Sequence, residues 1–256
     1  MRLSVVLAVH NEEQHLPECL KSVKDWCDEI VIVDGSSADK TVEIARQFGA
    51  RVLVTDNPPL FHINKQKAID AAQGDWILQL DADERVTPEL QTEINTALQQ
   101  HELDGFWIPR KNYFLGRFLM KGGVYPDYTL RLYRRGKGRL PQKDVHEQAV
   151  VEGDTGYLVH PLIHMSDTTF AKYWIKHQRY TDLLAQQFGA QRNSLSPITA
   201  IENVIVQPMY WFLLTFFRHR GFLDSWQGFL FSFFSALRYP IGYLKYVRNK
   251  ITRRTN

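Results

Sequence analysis

The 256-residue chain has few cysteines, and this excludes a fold that depends on disulfides. Its two cysteines, Cys19 and Cys27, lie in or next to one predicted helix. Eight residues of unbroken helix would separate their Cα atoms by about 12 Å, which is too far for a disulfide. We therefore expect two reduced thiols, as in a cytoplasmic protein.

Export and membrane-spanning segments are also not expected. No basic segment or cleavage site precedes the first predicted strand, Leu3–Val9, so a secretory signal is not indicated. The longest uncharged runs near the carboxyl end are Asn203–Phe217 and Ser225–Leu237. Both are shorter than the ~20 residues that cross a bilayer. Pro208 is expected to interrupt the first run.

Acidic residues are absent after Asp224, whereas aromatic residues are concentrated around it. Residues 204–246 hold 14 of the 32 Phe, Tyr and Trp side chains. The six basic residues that follow Asp224 are Arg238, Lys245, Arg248, Lys250, Arg253 and Arg254. The chain holds 31 basic and 28 acidic residues, so without these six it has fewer basic than acidic residues. The net charge of the whole chain is therefore small, although its carboxyl end is strongly basic.

Aromatic helices with basic flanks are typical of segments that bind an anionic membrane surface. We therefore expect residues 204–256 to attach the protein to such a surface. The alternative is that these helices pack on a protein partner, which exposed apolar patches also indicate. Nucleic acid is not an expected partner, because the aromatic and basic residues do not interleave and no recognition motif is present.

The first ninety residues alternate between strand and helix patterns, which predicts an α/β fold. Short apolar runs at Leu3–Val9, Glu29–Asp34 and Arg51–Val54, and a fourth run before Asp81, are separated by helical patterns. Such runs predict a mostly parallel sheet that is covered by helices on both faces. Ligands of such sheets bind beyond the carboxyl ends of the strands.

Polar residues follow three of these predicted strands. They are Asn11 and Glu12, then Asp34, then Asp81 and Asp83. Two carboxylates at a strand end suit Mg²⁺ or Mn²⁺ when phosphates complete the coordination shell. The alternative for the last pair is a polar loop that closes a strand.

Several motifs, in order and spacing, resemble family 2 glycosyltransferases of the GT-A fold, and more closely the subgroup of lipopolysaccharide core glucosyltransferases. The segments that carry this resemblance are Val5–Glu13, Val31–Thr41, Leu80–Glu84, Tyr125–Gly136 and Val145–Glu147. The resemblance is close over about residues 1–190 and looser beyond them.

The resemblance implies a Rossmann-like, mostly parallel sheet flanked by helices, with a helical, membrane-associating appendage at the carboxyl end. The predicted catalytic domain is 1–190, with a nucleotide-sugar-binding half, 1–103, and an acceptor-side half, 104–190. The predicted appendage is 191–256. The implied activity is inverting transfer of a sugar from a nucleotide diphosphate donor, such as a UDP-hexose, to a lipid-linked or lipopolysaccharide-core saccharide.

The resemblance also implies roles for residues that bind the donor. Asn11, Glu12 and Asp34 are expected to contact the base and ribose. Lys65 stands where the family usually has arginine, and it offers a point charge rather than a fork. A solvated helix face is the alternative for Lys65. Asp81 is expected to contact the ribose or to join the metal shell.

Metal binding and base catalysis are assigned in the same way. Asp81, Asp83 and His164 are the predicted metal ligands, although a core histidine is the alternative for His164. An inverting transferase needs a carboxylate general base near the acceptor hydroxyl. The candidates are Glu147 and Asp127, of which Glu147 is preferred, and Asp127 is expected in a flexible loop.

Other expectations concern the strand after that loop and the cellular location. Arg131 is expected on an exposed basic strand edge, with contact to the diphosphate as the alternative. The enzyme is predicted to be cytoplasmic, peripheral on the inner face of the cytoplasmic membrane. The rival functions are a nucleotidyltransferase of related fold, which the absence of a glycine-rich phosphate loop disfavours, and a non-catalytic membrane-bound adaptor.

Overall fold

The computed structural model describes residues 1–141, 148–190 and 195–255. The chain divides into two compact units. The first combines Met1–Lys111 with Asp127–His164, and the second combines Asn112–Pro126 with Met165–Asn256. These bounds differ from those of the predicted domains, which stay a prediction.

Among the described residues, the first four strands alternate with helices in the predicted βα pattern. The strands are β1 (Leu3–Val9), β2 (Glu29–Asp34), β3 (Arg51–Val54), β4 (Trp76–Gln79), β5 (Glu84–Arg85), β6 (Gly105–Phe114), β7 (Arg117–Phe118), β8 (Asp127–Arg134), β9 (Gly138–Arg139), β10 (Val150–Val151), β11 (Thr155–Tyr157) and β12 (Leu162–Asp167). The main sheet has the order β3-β2-β1-β4-β8-β6-β12-β5, and β7 and β11 both pair with β6. Strands β1 to β4 are parallel, and β8 joins β4 antiparallel.

The helices of the described residues are α1 (Leu16–Lys21), α2 (Thr41–Gln47), α3 (His62–Ala71), α4 (Pro88–Ala97), α5 (Phe170–Ala190), α6 (Pro197–Ile201), α7 (Gln207–Phe212) and α8 (Ser225–Thr255). Local sequence sets several of their starts. In α4, Pro88 occupies the first turn and Thr87 caps it, with its Oγ1 accepting the Leu90 N–H at 3.2 Å.

The core of the first unit lies on both faces of the parallel strands. Successive residues of a strand point to opposite faces, so Val5 and Leu7 join one cluster and Val6 joins the other. The first cluster includes Leu16 of α1, and the second includes Ala68 of α3. Burial on both faces confirms the predicted α/β class. The parallel pairing of β1 with β2 and β4 places their carboxyl ends at one edge.

The second unit is largely helical. Helices α5 and α8 pack together, and a cluster of buried side chains lies between them: Ala185, Phe188, Tyr243 and Tyr246. A second cluster in this unit contains Phe114, Leu119 and Tyr173.

The segment Pro197–Arg218 is helical throughout, so the expectation that Pro208 interrupts it is wrong. Two π-helical turns, Glu202–Val206 and Leu213–Arg218, flank α7. Pro208 lies in the first turn of α7, directly after the first π turn, where a wider turn tolerates its missing N–H. Within the described residues this is the one helix long and apolar enough to cross a membrane, and little of it is buried.

Candidate active site

Three strand ends meet at one edge of the sheet in the first unit. Val9 pairs with Asp34 at the ends of β1 and β2, and Val6 pairs with Gln79 near the end of β4. Asp81 follows β4 by two residues. The structure therefore brings together the strand ends at which the sequence predicts the site.

The loops after β1 and β2 are tied to each other by hydrogen bonds. The Asn11 N–H donates to Ser37 Oγ at 2.8 Å, and that hydroxyl donates to the buried Asp34 carboxylate at 2.5 Å. The Glu12 N–H donates to Thr41 Oγ1 at 2.7 Å. Asn11, Glu12 and Asp34 thus lie at the predicted edge, and their contacts with a nucleotide stay a prediction.

Asp81 is held by two cations. Its Oδ1 is ion-paired with Lys65 Nζ, and its Oδ2 lies 2.5 Å from Arg131 Nη2. Burial acts to raise the pKa of the Asp81 carboxyl, but the charges of Arg131 and Lys65 outweigh it and hold that pKa well below its usual range. Lys65 is itself buried, so a solvated helix face does not describe it.

Arg131 also binds Glu84, a residue that the sequence analysis did not assign to the site. Glu84 is fully buried and accepts from Arg131 Nη2 at 2.9 Å and from the Asp81 N–H at 2.9 Å. Burial acts to lower the pKa of Arg131, but Asp81 and Glu84 raise it above its ordinary value. The expectation of an exposed basic edge is therefore wrong for Arg131.

A second arginine extends this arrangement. Arg110 of β6 lies 3.4 Å from Glu84 and donates to Asp127 Oδ2 at 2.7 Å. Asp127 opens β8 and pairs in register with Arg110, so its predicted position in a flexible loop is wrong. Cations and carboxylates alternate along this charge chain, which consists of Lys65, Asp81, Arg131, Glu84, Arg110 and Asp127.

Asp83 and His164 form a separate pair beside the charge chain. His164 Nε2 lies 3.4 Å from Asp83 Oδ2, and both side chains are partly exposed. In the described part of the chain no three His, Cys, Asp or Glu groups converge as a metal site. The two donors that do converge suit a hard cation whose remaining ligands come from phosphate and water. Asp81, with both oxygens paired, does not offer a free donor in this arrangement.

A cavity of about 330 Å³ opens beside these residues in the first unit. Six of its lining residues are Phe61, His62, Lys65, Asp81, Arg110 and Arg131. Gln148 also lines it, while the preferred base, Glu147, lies outside the described residues. The lining contains three cationic side chains and one carboxylate, and this excess of positive charge suits an anionic ligand.

Sequence reasoning missed Glu84 and Arg110, and it gave contact of Arg131 with the diphosphate only as the alternative. Arg131 alternates with Leu130 and Leu132 on a strand whose neighbours are apolar. A charge inside such a strand requires a partner, and this was the available signal. Which carboxylate it meets depends on the pairing of β4 with β8, which no local pattern gives.

Known proteins resemble this chain along most of its length. Residues 4–150 match the model of Glycosyl transferase family 2. The lipopolysaccharide core biosynthesis glycosyltransferase LpsC of Rhizobium meliloti is 30% identical over 92% of this chain and 91% of its own. A TPR repeat-containing protein of Synechococcus elongatus is 41% identical over 57% of this chain, which covers only 35% of that longer protein.

A solved structure agrees with the fold. The mannosyltransferase PcManGT of Pyrobaculum calidifontis, in complex with GDP-Man and Mn²⁺, is 13% identical and superposes with a TM-score of 0.53 over 97% of this chain and 88% of that one. The predicted GT-A architecture with a helical carboxyl-terminal region is confirmed. The family match covers more than half of the chain. The chain therefore belongs to glycosyltransferase family 2.

Proposed function

We propose that this transferase moves a hexose from a UDP-sugar to a lipid-linked or lipopolysaccharide-core saccharide, with inversion at the anomeric carbon. The observation that carries the proposal is the cavity at the carboxyl ends of the parallel strands, lined by Lys65, Arg110 and Arg131. Three cations in the lining match a diphosphate, and ligands of parallel sheets bind at this edge. Asn11, Glu12 and Asp34 would hold the nucleoside.

The charge chain supports this role by fixing the cations before the donor arrives. Arg131 is held between Asp81 and Glu84, and Arg110 between Glu84 and Asp127. A guanidinium that is already oriented loses less conformational entropy when it binds phosphate. Asp81 therefore acts mainly by positioning Lys65 and Arg131.

Asp83 and His164 are the residues that would hold Mg²⁺ or Mn²⁺, because their donors converge at 3.4 Å. A divalent cation supplies Lewis-acid neutralisation of the charge that develops on a leaving diphosphate. PcManGT, which shares the fold, binds Mn²⁺ together with GDP-Man. Asp81 contributes to this site through charge rather than as a free ligand.

Glu147 is the general base that we favour, with Asp127 as the alternative. The Oδ2 of Asp127 accepts hydrogen bonds from Arg110 Nε at 3.1 Å and from Nη2 at 2.7 Å. This carboxylate is therefore directed to Arg110. Glu147 directly precedes Gln148, which lines the cavity, and this supports its assignment.

The relative LpsC and the composition of residues 204–256 support the proposed acceptor and location. LpsC is named for lipopolysaccharide core biosynthesis. The donor would come from the cytoplasm and the acceptor from the inner leaflet, while the aromatic, basic segment attaches the enzyme to the anionic membrane surface.

A transfer assay tests this proposal. Purified enzyme is incubated with labelled UDP-glucose, Mn²⁺ and lipopolysaccharide from strains truncated at successive core sugars. Labelled lipopolysaccharide of one truncation length supports the proposal. If the folded enzyme consumes no UDP-sugar with any of these acceptors, the proposal is overturned.

A further inference from the structure

The segment that joins helix 197–218 to α8 has an unusual surface. We call residues 217–226 the tip. Four of its large apolar side chains are between 47% and 55% exposed: Phe217, Phe222, Leu223 and Trp226. Arg218 and Arg220 are exposed beside them. Scattered exposed apolar residues are ordinary, but four within ten residues form a patch.

The tip displays no exposed negative charge. Asp224 is the only acidic residue between 203 and 256, and it is 2% exposed. Its Oδ2 accepts the N–H groups of Met120 at 2.9 Å and Lys121 at 2.7 Å, so its charge is directed inward. In contrast, neither Arg218 nor Arg220 forms an ion pair with a carboxylate of the described residues. The exposed charged side chains of the tip are therefore cationic only.

The backbone of the tip is closely packed. The Gly122 N–H donates to the His219 carbonyl at 2.9 Å. A Cβ at Gly228 would lie 1.9 Å from the Gly221 carbonyl oxygen, so the first turn of α8 packs closely against the backbone of the tip. A tip that is held in this way keeps its exposed rings in place, and ordering them at a surface costs little additional entropy.

We propose that the tip is the point at which this protein enters the interface of an anionic lipid bilayer. Phe222, Leu223 and Trp226 lie among the headgroups and upper acyl chains, and Arg218 and Arg220 bind lipid phosphates. Aromatic and aliphatic side chains with adjacent arginines match the chemistry of that interface, where water is scarce and the surface potential is negative. The inference rests on the proposed membrane attachment and assigns it to particular residues.

Vesicle binding by the full chain tests the assignment. Sedimentation is measured with phosphatidylcholine–phosphatidylglycerol vesicles and with phosphatidylcholine alone. The charge variant R218Q/R220Q is expected to bind anionic vesicles about thirtyfold more weakly than the unchanged protein, at about fivefold per arginine. The apolar variant F222S/W226S is expected to lose about tenfold or more on both kinds of vesicle.

Matched variants elsewhere control for general effects. R46Q/R139Q removes two exposed arginines of the first unit, and V159S/I175S removes two side chains that are 73% and 71% exposed. Both are expected to bind as the unchanged protein does. Calorimetric binding of UDP with Mn²⁺ by every variant shows that the donor site remains intact.

The outcomes separate the tip from the broader proposal. Weaker vesicle binding by the two tip variants, with unchanged binding by the two control variants, supports the assignment. Vesicle binding that is equal in tip and control variants overturns the assignment but leaves membrane attachment standing. No binding of the unchanged protein to any vesicle overturns both, while the transfer assay still decides the enzymatic proposal. A dimer that F222S/W226S dissociates would show that a second copy covers the tip, and this too would overturn the assignment.

Discussion

The guanidinium of Arg131 lies 2.9 Å from the carboxylate of Glu84, and both side chains are buried in the first unit. The same guanidinium reaches Asp81 at 2.5 Å. One cation thus links the loop after β4 to the middle of β8. Because the two elements are far apart in sequence, this link fixes the geometry of the site only when the sheet is assembled.

Arg131→Met should destabilise the fold, because it leaves Glu84 as a buried charge with weaker compensation from Arg110 at 3.4 Å. Breaking a buried pair by removing one partner costs about 3–5 kcal/mol. Urea denaturation measures this loss. Arg139→Met is the control, since its pair with Glu152 is exposed and 3.8 Å long, and it should change stability by less than about 1 kcal/mol. Equal losses in the two variants would contradict the structural role of Arg131.

Stability should decrease in acid partly through Asp81. Its pKa in the folded protein is lower than in the unfolded chain, so its contribution is fully present above the unfolded value and is lost as pH falls below about 4. Asp81→Asn should flatten the dependence of unfolding free energy on pH in that range. Asp25→Asn, at an exposed carboxyl, controls for the loss of one charge. If the unfolding free energies of Asp81→Asn and of the unchanged protein depend on pH in the same way, the ion pairing of Asp81 is contradicted.

Asp83→Ala should abolish the part of donor binding that depends on Mn²⁺ and leave the fold intact. His164→Ala should weaken the same part, because the two side chains converge at 3.4 Å. Titration of UDP with and without Mn²⁺ measures both effects. Asp25→Ala is the control and should bind as the unchanged protein does. Undiminished Mn²⁺ dependence in Asp83→Ala would place the cation elsewhere.

Glu147→Gln should retain UDP binding and lose sugar transfer by about 10²-fold or more, as expected when a general base is removed. Asp127→Asn should keep transfer activity, since Asp127 serves mainly to orient Arg110. Glu152→Gln is the control for an exposed carboxylate. Rates of labelled transfer are compared at saturating donor. An active Glu147→Gln together with an inactive Asp127→Asn would reverse the assignment.

Attachment to the membrane should be peripheral. Helix 197–218 has the length of a span, but it is only weakly apolar and contains Glu202 and Pro208. Alkaline carbonate washing of membranes should therefore release the protein. If the protein stays in the membrane pellet and only detergent releases it, this helix crosses the bilayer.

The fold was accessible from the sequence because the parallel strands are short apolar runs between helical patterns. The edge that carries Asn11, Asp34 and Asp81 followed from the rule for parallel sheets. The expectation for Pro208 was wrong because a π-helical turn before this residue keeps the helix continuous. A hydrophobic pattern with a period of 3.6 residues does not reveal where such a wider turn occurs.

The partners of the charged residues were not accessible in the same way. Asp127 was expected in a loop because glycines precede it, yet it pairs with Arg110 in the register of β6 and β8. The antiparallel register of β6 and β8 decides that pairing, and no local pattern gives this register. Arg131 could be recognised as a charge inside a strand, but its carboxylates could not be named without the sheet.

Calorimetric titration of the purified protein with UDP, GDP and CDP, each with and without Mn²⁺, tests the central claim most directly. We expect UDP to bind because the cavity presents three cations, and we expect Mn²⁺ to strengthen that binding through the Asp83–His164 pair. Selective binding of GDP or CDP would keep the transferase and change its donor. Binding of none of the three nucleotides by folded protein would contradict a nucleotide-sugar site in this cavity.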